Sequence, residues 1–102
     1  MNWDTKIIKI TNRTDLSAMP GVLANCRFMY VAHCTGLTAL PDLPECVYLD
    51  ARGCTGLTAL PDLPECVYLY ASGCTRLTAL PDLPACEHLD VSGCTCMTTS
   101  IN

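Results

Sequence analysis

The sequence predicts a β-rich solenoid with short parallel strands on a concave face, an extended, polyproline-like convex side and little or no α-helix. Three observations predict this fold. A twenty-residue segment recurs at 37–56, 57–76 and 77–96, with a looser copy at 16–36, and such a period is typical of solenoids. Inside each copy the apolar residues step by three and then alternate. The cysteines recur at two fixed places in the repeat.

The first half of each repeat is predicted to be an extended return segment. In the central copy Leu57, Leu60 and Leu63 lie three apart, which is the turn of a polyproline-like helix and not of an α-helix. Pro61 and Pro64 hold the backbone extended and remove donors that an α-helix would need. The leucines are therefore expected to face the core from an extended chain.

The second half of each repeat is predicted to be a strand followed by a turn. Leu69 and Ala71 alternate with Tyr68 and Tyr70, so the first pair is expected to face the core and the second pair to face outward. Gly73 then permits the chain to turn. The predicted strands are residues 6–10, 27–31, 47–51, 67–71 and 87–91.

The chain has the length of one domain, which the repeat divides into coils. The first repeat is one residue longer than the others, because Leu16, Met19 and Val22 keep the step of three while Cys26 arrives one residue late. We expect a bulge near Gly21 to absorb the extra residue. The predicted coils are about 1–15, 16–36, 37–56, 57–76 and 77–96, with a partial coil at 97–102.

The sequence contains nine cysteines, whose spacing disfavours a metal site. Zinc ligands come in converging pairs two to four residues apart, and only Cys94 and Cys96 come close to such a pair. Buried, reduced thiols that pack as small apolar groups are favoured over the alternative of disulfides. Cys96 lies outside both predicted columns. The columns are Cys26, Cys46, Cys66 and Cys86, and Cys34, Cys54, Cys74 and Cys94.

The strand half resembles a known repeat family. Residues 66–74, Cys-Val-Tyr-Leu-Tyr-Ala-Ser-Gly-Cys, are similar to the strand segment of leucine-rich repeats, Leu-x-x-Leu-x-Leu-x-x-Asn/Cys. Residues 77–84 resemble the short convex segment of bacterial leucine-rich repeats, which are found in type III secreted effectors, including ubiquitin-ligase effectors. The resemblance covers 16–96 and implies a leucine-rich repeat solenoid that binds proteins on its concave face.

Two departures from that family pattern concern the core. Cysteine or alanine replaces leucine at strand positions, and cysteine replaces the asparagine of the ladder. Both substitutions predict a thinner core. The catalytic ligase domain of those effectors has no counterpart in this sequence, so the resemblance does not imply ligase activity.

The sequence favours a protein that is not an enzyme and that needs no cofactor or metal. His33 and His88 lack a predicted nucleophile within reach, and Asp42, Asp62 and Asp82 recur singly on the convex side. A net charge of −4 without a basic stripe disfavours nucleic acid as a partner, and no apolar run is long enough for a membrane-spanning helix. The features of a secretory signal are missing from the start, so the expected location is cytoplasmic, or outside after export without a cleaved signal peptide.

The phase of the repeat suggests that the chain associates with itself. Met1 and Asn102 fall at the same place in the repeat, so a second copy placed on one end would continue the coil in register. A head-to-tail contact that does not close into a ring produces a filament. The first functional hypothesis is therefore a structural protein that self-assembles end to end into a filament.

The charges agree with that hypothesis. Residues 1–36 carry a net charge of +2 and residues 37–102 a net charge of −6. Basic residues of the first strand share columns with acidic residues of the last strand, so opposite charges would meet across the joint. The predicted self-association residues are Lys6, Ile8, Lys9, Ile10, Glu87, Asp90, Met97 and Ile101.

The alternative hypothesis is a module that binds another protein on the concave face. All four tyrosines and the only phenylalanine fall at outward strand positions. Aromatic side chains with scattered charges are typical of binding surfaces, although stacking between neighbouring strands would also explain them. The predicted partner-binding residues are Phe28, Tyr30, Tyr48, Asp50, Tyr68, Tyr70, His88 and Asp90.

Overall fold

The computed structural model describes residues 5–14 and 21–95. These residues form one five-stranded sheet in which every neighbouring pair is parallel and the spatial order follows the chain. The described residues contain no helix, so the predicted β-solenoid is confirmed. The strands are β1 (Ile7–Lys9), β2 (Phe28–Tyr30), β3 (Tyr48–Asp50), β4 (Tyr68–Tyr70) and β5 (His88–Asp90).

Each strand is shorter than predicted by one residue at both ends, but the hydrogen bonding extends past it. The Val31 N–H donates to the carbonyl of Asp50 at 2.8 Å, and the Val47 N–H donates to the carbonyl of Arg27 at 2.7 Å. The predicted five-residue segments therefore do pair across coils, and only the assigned bounds differ.

Paired residues lie twenty positions apart in the chain for each neighbouring pair of strands from β2 to β5. Between β1 and β2 they lie twenty-one apart, as in the pair of Ile7 and Phe28. The extra residue lies before position 21, because Val22 bridges Asp42 at the ordinary spacing of twenty. The expectation that Val22 faces inward is wrong: Val22 is 57% exposed, and Leu23 beside it is 4% exposed. Residues 15–20, which include two of the leading apolar positions, lie outside the described part.

The core is built from columns of small and branched side chains that repeat from coil to coil. Leu57 and Leu63 are fully buried, whereas Leu60 between them is half-buried. The step of three therefore places two of three leucines in the core and leaves the third at its margin. Each fully buried leucine contributes about 1.5–3 kcal/mol of transfer free energy, and because no coil has a core alone, stability arises at coil–coil contacts.

The turn after each strand uses a left-handed residue in every coil. The backbone angle φ is positive at Asn12, His33, Gly53, Gly73 and Gly93. These residues stack in one column from coil to coil. The His33 N–H donates to the carbonyl of Arg52, just before Gly53, and the Gly53 N–H donates to the carbonyl of Ser72, just before Gly73. The two non-glycine members are an asparagine and a histidine, residue types that tolerate this region better than most.

The two ends of the sheet differ in burial. At the first strand the inward side chains of Ile8 and Ile10 are only 4% and 7% exposed. At the last strand Leu89, in the same inward column as Ile8, is 38% exposed, and Val91 is half-buried. Apolar area open to a further coil is therefore found at the C-terminal end of the described sheet.

Candidate functional site

The outward strand positions form two straight columns on the concave face, as the alternation predicts. The pairing register aligns residues at the same phase of successive strands. Parallel strands lie about 4.8 Å apart, so neighbours in a column are close enough for their side chains to touch. One column is Ile7, Phe28, Tyr48, Tyr68 and His88, and the other is Lys9, Tyr30, Asp50, Tyr70 and Asp90.

Four tyrosines form a continuous aromatic surface, which we call the tyrosine cluster (Tyr30, Tyr48, Tyr68 and Tyr70). Tyr48 is its centre: its ring centroid lies 5.2 Å from Tyr30, 5.6 Å from Tyr68 and 5.5 Å from Tyr70, in tilted arrangements. The imidazole of His88 extends the surface by stacking flat on Tyr68, at 4.7 Å and 6°. Such contacts contribute about 0.5–1.5 kcal/mol each beyond burial, so the rings hold one another in place.

Asp50 departs from the expectation that outward side chains are open to solvent. It is 6% exposed, and both carboxylate oxygens accept hydrogen bonds from the Arg52 side chain, at 2.9 Å from Nε and 2.8 Å from Nη2. The backbone N–H of Arg52 also donates to Asp50, at 3.3 Å. A bidentate pair is geometrically rigid. Asp50 is therefore a structural residue at the centre of the face, and its charge is already paired with Arg52.

Arg52 is the residue of this face that the sequence reasoning missed. It stands two positions after an outward aspartate, and the same spacing recurs at Asp90 and Ser92. Aspartate commonly accepts a hydrogen bond from the backbone two residues on, and that signal was available in the sequence. The hydrogen bonds and the charge of Asp50 raise the pKa of the Arg52 guanidinium above its usual value.

The carboxylate of Asp90 lies at the end of β5 and is hydrogen-bonded to Ser92. Its Oδ1 accepts from the Ser92 N–H at 3.0 Å and from the Ser92 hydroxyl at 2.8 Å. These hydrogen bonds, with a smaller contribution from the charge of Arg52, lower the pKa of Asp90 below its usual value. The carboxylate is therefore ionised throughout the neutral range.

The residues predicted for self-association are placed at both ends of the sheet. Lys6, Lys9 and Glu87 are exposed, and the register puts Lys9 and Asp90 in one column. Ile8 and Ile10 are buried within the described fold. The remaining predicted positions, Met97 and Ile101, lie outside the described residues.

The eight described cysteines occupy two ladders with different hydrogen bonds; six of them are buried, and Cys86 and Cys94 in the last coil are half-buried. The Cys54 thiol donates to the carbonyl of Val31 in the preceding coil at 3.0 Å, whereas the Cys46 thiol donates to Tyr48 in its own coil at 3.3 Å. Burial raises the pKa of Cys46 and Cys54 to about 12. The eight described cysteines are all free thiols, as expected for apolar packing, and Cys96 lies outside the described part.

In residues 5–14 and 21–95, no cluster of three or more histidine, cysteine, aspartate or glutamate side chains is arranged to hold a metal ion. No helix in that part is long and apolar enough to cross a membrane. Shallow depressions do recur on the return side, where Asp42, Pro44, Asp62 and Pro64 line the space between two coils.

A scan against protein-family models found no match for this chain, and searches of curated proteins and of solved structures found none either. The evidence for the solenoid architecture is therefore the parallel pairing and register of the five strands.

Proposed function

We propose that this chain is a non-enzymatic, protein-binding module of the leucine-rich repeat kind, which binds its partner on the tyrosine cluster. The observation that carries the proposal is the set of ring contacts around Tyr48 on the concave face. Tyrosine is enriched among the residues that dominate binding energy, and rings that are already packed lose little conformational freedom on binding. The resemblance of residues 66–84 to bacterial leucine-rich repeats favours the same surface.

Selection of displayed random peptides on the immobilised protein tests this proposal. We expect selected peptides to bind the Tyr68→Ser variant about thirtyfold more weakly than the parent, or weaker still, since tyrosine hot spots contribute about 2 kcal/mol or more. Tyr68 is 36% exposed, so Tyr68→Ser loses the ring contacts with Tyr48 and His88 but should still fold, which circular dichroism melting checks. Val22→Ser is the matched control, because Val22 is exposed on the return side. Peptides that bind both variants equally well would contradict the proposal.

A second candidate is head-to-tail self-assembly, and one observation favours it. Leu89 leaves an apolar, strand-edged surface at the C-terminal end of the described sheet, and Lys9 and Asp90 lie in one column with opposite charges. Stacking would place Lys9 of one copy beside Asp90 of the next. We rank this candidate second because the inward side chains of β1, Ile8 and Ile10, are already buried and offer little apolar area to a neighbouring copy.

Sedimentation velocity over a range of concentrations tests self-assembly. We expect Leu89→Lys to shift the distribution towards the monomer, because it puts a charge on the apolar contact. Lys9→Glu should weaken association by about 0.2–1 kcal/mol per contact, and the double variant with Asp90→Lys should restore it. A parent protein that stays monomeric at every concentration would rule this candidate out.

A further inference from the structure

We infer that the partner segment on the concave face is an extended peptide that crosses the five strands, with an acidic side chain at Lys9, a basic side chain at Asp90 and apolar side chains between them. This inference rests on the proposed function and names the chemistry of the partner. One outward column carries a cation on β1 and an anion on β5; its members are Lys9, Tyr30, Asp50, Tyr70 and Asp90.

The middle of that column has no charge left for a partner. Asp50 is buried, and both of its oxygens are engaged by Arg52. A partner cation placed there would have to displace a bidentate pair. The surroundings of Asp50 are instead the rings of Tyr30, Tyr48 and Tyr70, of which Tyr48 contacts the other two. The centre of the face therefore suits apolar side chains.

The two ends of the column remain charged and accessible. Lys9 is exposed on β1. At Asp90 both hydrogen bonds from the described residues fall on Oδ1, which leaves Oδ2 to accept from a partner. Arg52 offsets one of the two carboxylates, so the β3–β5 half keeps a net negative charge beside a positive first strand.

The spacing of the strands sets the spacing of the partner's charges. Four steps of about 4.8 Å separate Lys9 from Asp90, or about 19 Å. An extended peptide advances about 3.3 Å per residue, so opposite charges about six residues apart would meet both ends. Because the face contacts side chains and not a strand edge, the peptide can run in either direction.

Three synthetic peptides with the same apolar centre test the inference by fluorescence anisotropy. They carry Asp and Lys, two Asp, or two Lys at positions one and seven. We expect the parent protein to bind the Asp/Lys peptide about fivefold more tightly than the others at low ionic strength. The preference should fade at high salt, since exposed charges are screened, while the apolar binding persists.

The variants should change the preference in a defined way. Asp90→Lys leaves a cation at both ends, so it should favour the peptide with two Asp, and Lys9→Glu should favour the peptide with two Lys. Asp90→Asn keeps an oxygen that accepts from Ser92 but removes the negative charge. This variant should therefore bind the Asp/Lys and Asp/Asp peptides with equal affinity. Circular dichroism melting checks that each variant folds.

The outcomes separate the inference from the proposed function. Equal affinities of the parent for all three peptides, or preferences that the variants do not shift, would overturn the charge pattern and leave the tyrosine cluster as a binding surface. If none of the three peptides binds, the inference is wrong. The proposed function fails with it only if the display selection also returns no peptide that depends on Tyr68.

Discussion

We expect the folded chain to lose most of its stability as the pH rises from 9 to about 12. Burial raises the pKa of Cys46 and Cys54 from 9.0 to about 12 and the pKa of Cys66 and Cys74 to about 11. A group whose pKa is raised in the folded state contributes its stability fully below its unfolded pKa and loses that contribution as the pH rises towards its folded pKa.

The size of this alkaline effect follows from the thiol ladders. For Cys46 alone, the difference between 9.0 and about 12 corresponds to about 4 kcal/mol. Small domains are stable by about 5–15 kcal/mol in total, so several such thiols acting in the same direction are enough to unfold the chain. The ladders are therefore expected to set the alkaline limit of the fold.

Urea unfolding at a series of pH values measures the effect. The slope of the unfolding free energy against pH should be negative above pH 9, and Cys46→Ala should make it less steep. Val47→Ala is the matched control, because it removes side-chain volume next to Cys46 without removing a titrating group. Burial also raises the pKa of Tyr48, which adds to the same slope and is present in both variants. A slope that Cys46→Ala leaves unchanged would contradict the account of the thiols.

We expect Gly53→Ala and Gly73→Ala each to destabilise the chain by about 1–2 kcal/mol, with Gly53→Ala the more costly of the two. Both residues have positive φ, +71° and +77°, and an L-residue in that region costs about 1–2 kcal/mol. A methyl group on Gly73 would meet only ordinary contacts, whereas on Gly53 it would lie 2.3 Å from Nδ1 of His33. The difference between the two variants measures the clash with that imidazole.

Thermal or urea unfolding of both variants checks the comparison, and His33→Gly provides the rescue. The double variant of His33→Gly and Gly53→Ala removes the imidazole and keeps the backbone strain. The double variant should therefore be less stable than His33→Gly by the same free energy of unfolding that Gly73→Ala loses relative to the parent protein. If Gly53→Ala and Gly73→Ala are equally destabilising, the imidazole does not constrain Gly53.

Much of the concave face was predictable because a strand alternates by two residues and a stacked coil repeats at constant length. Those two rules place Tyr68 outward, Leu69 inward and Cys66 in the core, and the structure agrees at each. The same rules align Lys9 with Asp90 across five strands. They contain no information about the exposure of a side chain once its neighbours have packed.

The differences arose where local packing decides the outcome. Counting by three through the first, longer repeat predicted that Val22 faces the core. Val22 instead pairs with the exposed Asp42, and its neighbour Leu23 is the buried residue. Alternation placed Asp50 outward, and it does lie in the outward column, but Arg52 and the neighbouring rings bury it. The repeat phase also gave no sign that the two ends of the described sheet differ in burial, with Ile8 covered and Leu89 partly open.

The amino-acid sequence alone determined the solenoid, its parallel strands, the inward cysteine ladders and the two outward columns, because each follows from a short-range period that is repeated with little change. The tertiary structure alone decided which outward groups remain accessible, which charges are already paired and which end of the sheet exposes apolar area. These depend on contacts between side chains of different coils, whose packing and hydrogen bonds no period in the sequence specifies.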